Sequence, residues 1–228
     1  GKRQRAVLPG SMLIQRLMPS SWRGNEKTTG RERLQKMSAT NRGSTRRPRD
    51  FYPTPRPVIR ALFYRLGIGK GSLVIDPACG DGRIPYIAEA EFGARGVGWD
   101  IDKPGHYFGG TKDSLGENGW DVVGWAGFDV PFIITNPPFS HALEFVQRAL
   151  NESLYRPTCM LLPLSFMASK RRSAFHQANP SKLFVLSNRP SFTDDGKTDA
   201  QDYGWFCWNI QAYAKNMGWE VMSVVDGC

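Results

Sequence analysis

A short, wholly apolar run, Leu73-Val74-Ile75, leads directly into Asp76-Pro77-Ala78-Cys79-Gly80-Asp81-Gly82 and then into a helical pattern from Ile84 to Phe92. Apolar residues at consecutive positions leave no face for solvent, so the run belongs to a strand buried on both sides, as central parallel strands are. Strand, glycine turn and helix in this order begin a parallel crossover unit. Pro85 is tolerable in the first turn of that helix, and Gly93 supplies its stop. Comparable runs recur at Gly96 to Trp99, Val122 to Trp125, Phe132 to Thr135, Met160 to Leu162, Leu183 to Leu186 and Trp205 to Trp208. Helical spacing from Pro57 onward places Val58-Ile59, Leu62-Phe63 and Leu66 on one face, with Gly67 and Gly69 ending the pattern. Further helices are expected over Ala142 to Leu150 and Lys170 to Ala178. The expected fold class is α/β: a doubly wound, mostly parallel seven-stranded sheet with helices on both faces. Such sheets bind ligands at the carboxyl ends of their strands.

The 228 residues suffice for one substantial α/β domain and hardly for a second. Residues 49–228 are expected to form it, preceded by an arm over residues 1–48 that is rich in Arg, Lys, Ser, Thr and Gly. Gly10-Ser11-Met12 resembles an expression remnant before a start methionine, so residues 1–11 carry no functional weight. Residues 1 to 60 hold 15 Lys and Arg against three acids, a balance of +12 within a net charge of +9, which leaves the rest of the chain at −3. A basic arm on a near-neutral body suits a polyanion, because phosphate contacts are mostly Lys and Arg contacts. No apolar run is long enough to span a bilayer and no signal-peptide pattern opens the chain, so a soluble, cytoplasmic protein without a membrane partner is expected. Cys79, Cys159, Cys207 and Cys228 form no CxxC pair, and His106, His141 and His176 add no ligand spacing to them. No metal site is expected, and the scattered cysteines suit a reducing compartment.

In the turn after the first strand, Gly80 and Gly82 let the backbone approach a ligand that a Cβ would push away. A dinucleotide fingerprint would need a third glycine near position 85, where proline stands. Asp76 and Asp81 would repel a pyrophosphate but suit a cation, such as the ammonium and sulfonium of S-adenosylmethionine. Asp100, twenty positions after Gly80, stands where doubly wound nucleoside binders place the carboxylate that accepts from ribose hydroxyls, with Asp102 as its neighbour and alternative.

Asn136-Pro137-Pro138-Phe139 follows the apolar run Phe132 to Thr135. A chance match to Asp/Asn-Pro-Pro-aromatic in a chain of this size is on the order of one in a hundred. The residue types fit methylation of an aromatic amine, whose lone pair is delocalised into its ring. Two acceptors on its two N–H bonds draw it toward tetrahedral geometry: the side-chain oxygen of Asn136 and a main-chain carbonyl, expected to be that of Pro137. The prolines hold that carbonyl rigidly and bring no competing N–H. Phe139 offers a flat face for an extruded base. In-line methyl transfer then requires proximity and orientation, without metal or covalent nucleophile.

The segments DPACGDG and NPPF resemble motifs I and IV of the amino (N6-adenine) methyltransferases, and Phe51-Tyr52-Pro53-Thr54-Pro55 is similar to the segment preceding motif I in them. The resemblance runs from about Asp50 to Asn209. Its later part, Asn188-Arg189-Pro190-Ser191-Phe192 and Tyr203-Gly204-Trp205-Phe206, is similar to small phage-type DNA adenine methyltransferases. It implies a class I methyltransferase-like fold and S-adenosylmethionine as cofactor. Tyr52, Pro53 and Thr54 would lie at its methionine end, with Asp76, Ala78, Gly80, Asp81, Gly82, Asp100 and Ile101 completing the cofactor set. Phe192 would close the base pocket. Where the family usually has an acidic or polar contact to the cofactor's adenine, Trp125-Ala126-Gly127 stands, and Asp129 is the substitute. No separate target-recognition domain is visible, which assigns recognition to the arm, to Arg189 and the loop Thr193 to Asp202, to Lys170-Arg171-Arg172, or to a second subunit. The expected activity is methylation of the adenine N6 amino group in DNA. RNA adenine is the alternative substrate, protein glutamine another, and a non-catalytic nucleic-acid-binding partner the alternative of a different class. Target sequence, its stringency and oligomeric state are left open.

Overall fold

The computed structural model describes residues 52–102, 110–117, 119–120, 130–153, 155–193, 198–214 and 216–224. In chain order the elements are α1 (Arg56–Leu66), β1 (Ser72–Asp76), α2 (Arg83–Phe92), β2 (Arg95–Gly98), β3 (Val130–Thr135), α3 (Ala142–Glu152), β4 (Thr158–Pro163), α4 (Ser173–Ala178), β5 (Lys182–Leu186), β6 (Tyr203–Trp208) and β7 (Gly218–Met222). They build one seven-stranded sheet in the order β2-β1-β3-β4-β6-β5-β7. Every pairing is parallel except those of β6, which runs antiparallel to both β4 and β5. Parallel neighbours need a crossover, usually helical. Among the described residues no helix separates β5 from β6, and the chain returns antiparallel.

The alternation of side chains along each strand divides the core into two layers. Val74, Phe132, Ile134, Leu161, Phe184 and Trp205 face α1 and α2, packing with Ile59, Leu62, Phe63 and Ile87. Leu73, Ile75, Ile133, Met160, Leu162 and Phe206 face the other way, against Phe145, Val146 and Ala149 of α3 and Phe175 of α4. Both faces are covered, as the continuous apolar runs imply.

The strand order reverses between β1 and β3, whose register pairs Leu73 with Pro131 and Ile75 with Ile133. Asp76 and Thr135 therefore emerge side by side at the carboxyl end of the sheet. That reversal is the crevice in which doubly wound sheets seat ligands.

The α/β architecture with seven strands is as expected, but membership differs. Val122 to Trp125, expected as a strand, lies outside the described residues. The seventh strand is β7, which carries no apolar run: Trp219 and Val221 are 73% and 61% exposed and Met222 is its buried residue. Lys170 to Ala178, expected as one helix, is a 3-10 turn over Lys170–Arg172 followed by the short α4. Only Phe175 in that stretch is buried, so no apolar stripe holds a longer helix to the sheet.

Candidate active site

The first wall of the site is the turn leaving β1. Gly80 and Gly82 stand at φ of 51° and 81°, left-handed values that L side chains rarely adopt, and Gly82 caps the start of α2. Asp76 accepts from the Ala78 N–H at 3.1 Å. Asp100 accepts from the Gly80 N–H at 2.8 Å through one oxygen and from the Asp102 N–H at 3.1 Å through the other, tying the end of β2 to the glycine turn. Burial pushes the Asp76 carboxyl up to about 7; the Thr135 hydroxyl and the Ala78 N–H oppose this, and the charges of Asp100 and Asp81 add to it. Asp81 holds the Arg83 guanidinium at 2.6 Å. Carboxylates at this turn make it unfavourable for a pyrophosphate and favourable for a cation.

The second wall is the tetrapeptide leaving β3. The Asn136 amide nitrogen donates to the Tyr52 carbonyl at 2.7 Å, which fixes the direction of the side chain. Its Oδ1 is buried and has no hydrogen-bond partner among the described residues. Leaving such an acceptor unpaired costs about 1–3 kcal/mol, so it marks a place where a donor is due. The Pro138 carbonyl accepts from the His141 N–H at 3.0 Å in the 3-10 turn that starts α3.

Four rings enclose this corner. Tyr52 stacks on Phe139 with centroids 5.5 Å apart and planes 17° from parallel, and meets Phe192 edge-on at 5.6 Å. Tyr203, from the start of β6, closes the ring against Phe139 at 5.5 Å and Phe192 at 5.1 Å. Phe192 and Tyr203 are buried, and burial pushes the Tyr203 phenol up. Phe139, expected to offer a flat face to an extruded base, stacks on Tyr52 in this structure. In the sequence Tyr203 stands out only as part of Tyr203-Gly204-Trp205-Phe206. Its place in the box depends on β6 inserting between β4 and β5, which no local pattern announces.

Of the other expected residues, Thr54 is buried beside Tyr52 and Pro53, while Ile101 is 59% exposed past the end of β2. Asp129, Trp125-Ala126-Gly127 and the arm lie outside the described residues, as do residues 194–197 of the polar loop. Lys170 and Arg171 are exposed. Arg172 is engaged structurally: it donates to the carbonyls of Phe166 at 2.7 Å and Ser165 at 2.9 Å and lies 4.9 Å from the Phe166 ring. With Arg171, Phe139, Ser140 and Ser165 it borders a pocket of about 180 Å³. Arg189 pairs with Asp202 at 2.8 Å, both largely exposed. Among the described residues no cluster of three or more His, Cys, Asp or Glu could hold a metal, and no helix is long and apolar enough to cross a membrane.

No protein-family model matches the chain, and no curated protein matches it by sequence. Solved structures do. The methyltransferase subunit of a type I restriction-modification system from Streptococcus thermophilus aligns over 69% of this chain and 44% of its own length, with 14% identity and a TM-score of 0.51. A putative class I S-adenosylmethionine-dependent methyltransferase from Listeria monocytogenes shares 12% identity over 74% of this chain and 65% of its own, with a TM-score of 0.47. A putative RNA methyltransferase from Pyrococcus horikoshii shares 15% over 70% and 87%, with a TM-score of 0.46. This chain therefore spans less than half the length of the first and less than two thirds of the second. With its seven-stranded mixed sheet, its switch point between β1 and β3 and its overlap with the restriction-modification subunit, the chain has the class I methyltransferase fold.

Proposed function

We propose that this protein transfers a methyl group from S-adenosylmethionine to the N6 amino group of adenine in DNA. The observation that carries the reading is the Asn136 side chain, whose N–H is tied to the Tyr52 carbonyl while its buried oxygen waits without a donor. An adenine amino group brings two N–H bonds. One meets Asn136 Oδ1; the other meets the main-chain carbonyl of Pro137, since that of Pro138 is taken by His141. Both acceptors draw the nitrogen out of conjugation and aim its lone pair toward the β1 turn.

The cofactor's chemistry fits the residues present. Left-handed glycines bring the backbone close, Asp76 and Asp81 favour positive charge, and the Asp100 carboxylate, fixed to the Gly80 N–H, stands at the end of β2 where doubly wound nucleoside binders meet ribose hydroxyls. Thr54 and Pro53 reach the methionine end by the family resemblance. S-adenosylmethionine supplies the electrophilic methyl when bound. The protein's own contribution is to position the amine, hold its two protons and exclude water with the aromatic box.

The box must open for a base. A base stacked on an aromatic side chain is worth about 1–3 kcal/mol, which opposes the loss of the Tyr52–Phe139 contact. Leaving out residues 1–11, residues 12 to 60 hold 12 Lys and Arg against three acids, a balance of +9, which supports a nucleic-acid substrate.

Incubation with methyl-labelled cofactor and matched DNA, RNA and protein substrates, followed by nucleoside analysis, tests this. Label in N6-methyldeoxyadenosine is expected. Label confined to RNA or to protein would replace the DNA assignment.

A further inference from the structure

A cleft of about 780 Å³ opens beside the aromatic box, lined by Arg56, Arg83 and Arg189 together with Asn188, Ser191 and Thr198. Each of its walls continues a wall of the active site. Arg56 starts α1, four residues after Tyr52; Arg83 follows Gly82 of the glycine turn; Arg189 precedes Phe192 by three residues, at most about 11 Å of chain. The lining contains three guanidinium groups and, among the described residues, no carboxylate.

Carboxylates outside the lining pair with these groups. Arg83 pairs with Asp81 at 2.6 Å, Arg189 with Asp202 at 2.8 Å, and Arg56 lies 3.9 Å from Glu91 and 5.3 Å from the Tyr86 ring. A guanidinium has five N–H donors, and Arg189 meets the Asp202 carboxylate through its Nε. Arginines restrained in this way lose less freedom when an anion arrives. The volume is in the range of about 300–1,000 Å³ that holds ligands much larger than one phosphate.

We propose that this cleft receives the phosphodiester backbone of the strand carrying the target base. The inference rests on the nucleic-acid reading above. An extruded base enters the aromatic box while its backbone stays outside, and the cleft lies one to four residues from two of the four rings that receive it. Planar guanidinium forks match phosphate oxygens two at a time, while Ser191, Thr198 and Asn188 add neutral donors.

The test uses the full chain, a labelled adenine-containing single strand and a salt series, with cofactor affinity measured separately by calorimetry. The double variant Arg56→Gln, Arg189→Gln should lower the slope of log affinity against log salt by about 1.4, at about 0.7 per lost phosphate contact. It should also raise KM for nucleic acid at least tenfold while leaving kcat and cofactor affinity within about twofold. The Lys variants at both positions should recover most of the slope, which a folding defect would not allow. An unchanged slope and KM, in a protein that still methylates nucleic acid, overturns the cleft assignment alone. A matching loss of cofactor affinity overturns it by giving the cleft to the cofactor's carboxylate. If the wild-type protein neither binds nor methylates nucleic acid, both the cleft and the nucleic-acid reading fall.

Discussion

Asn136 and Asp76 stand at neighbouring strand ends and do opposite things. Asn136 is neutral, anchored at its nitrogen and open at its oxygen, while Asp76 is a carboxyl that burial keeps largely protonated below about pH 7. Between its ordinary value near 4 and about 7 the folded state holds a proton that the unfolded chain has lost. Asp76 thus lowers stability as pH rises through that window and has no further effect above it. A cationic cofactor prefers the ionised form, so its affinity should climb by up to about tenfold per pH unit below 7 and then level off. Calorimetric titration from about pH 5.5 to 7 reads this slope, and Asp76→Asn should flatten it; a flat wild-type profile would separate Asp76 from the cofactor. The two residue clusters were legible in the sequence because their signals are local: glycines and acids within one turn, and a proline-braced amide. The state of the rings was not. Tyr52, Phe139, Phe192 and Tyr203 meet from four segments, and nothing at any one of them shows that Tyr52 stacks on Phe139.

At the scale of elements, the sheet is readable where strands are buried on both faces and hidden where they are not. β1, β3, β4, β5 and β6 show as apolar runs; β7 alternates exposed and inward-facing residues at the sheet's edge and was passed over. What fixes β7 is partly an ion pair. Lys182, on β5, is nearly buried and reaches Glu220, on β7, at 2.9 Å, while Arg65 of α1 meets the same carboxylate at 2.8 Å. These partners hold the Glu220 carboxyl below its usual range, Lys182 foremost. A carboxyl depressed in this way stabilises the fold above its ordinary pKa and loses that contribution as pH falls. Glu220→Gln leaves Lys182 buried with a weaker partner and should cost about 1–3 kcal/mol, read as a lower unfolding midpoint at neutral pH. The loss should shrink only as pH falls below the ordinary glutamate value toward the lower folded one, where the wild-type carboxyl itself takes up a proton. A variant as stable as the wild type would mean that β7 is held by its backbone ladder alone.

For the whole molecule, one α/β layer system places the carboxylate-bearing glycine turn and the Asn136 corner at the same strand ends, with an arginine-lined cleft on one flank. The fold class was evident from the order of apolar runs and helical stretches, since each strand–turn–helix unit carries its own pattern. Of the cleft's arginines only Arg189 was legible as a substrate contact, because Arg56 and Arg83 join it only on folding. The account turns on the buried oxygen of Asn136 as the acceptor that prepares the amine. Single-turnover transfer of labelled methyl to adenine-containing DNA, compared between the wild type and Asn136→Ala with cofactor affinity measured alongside, tests this most directly. The rate should fall by about 10³-fold or more at unchanged cofactor affinity; a rate within tenfold of the wild type would remove Asn136 Oδ1 from the chemistry.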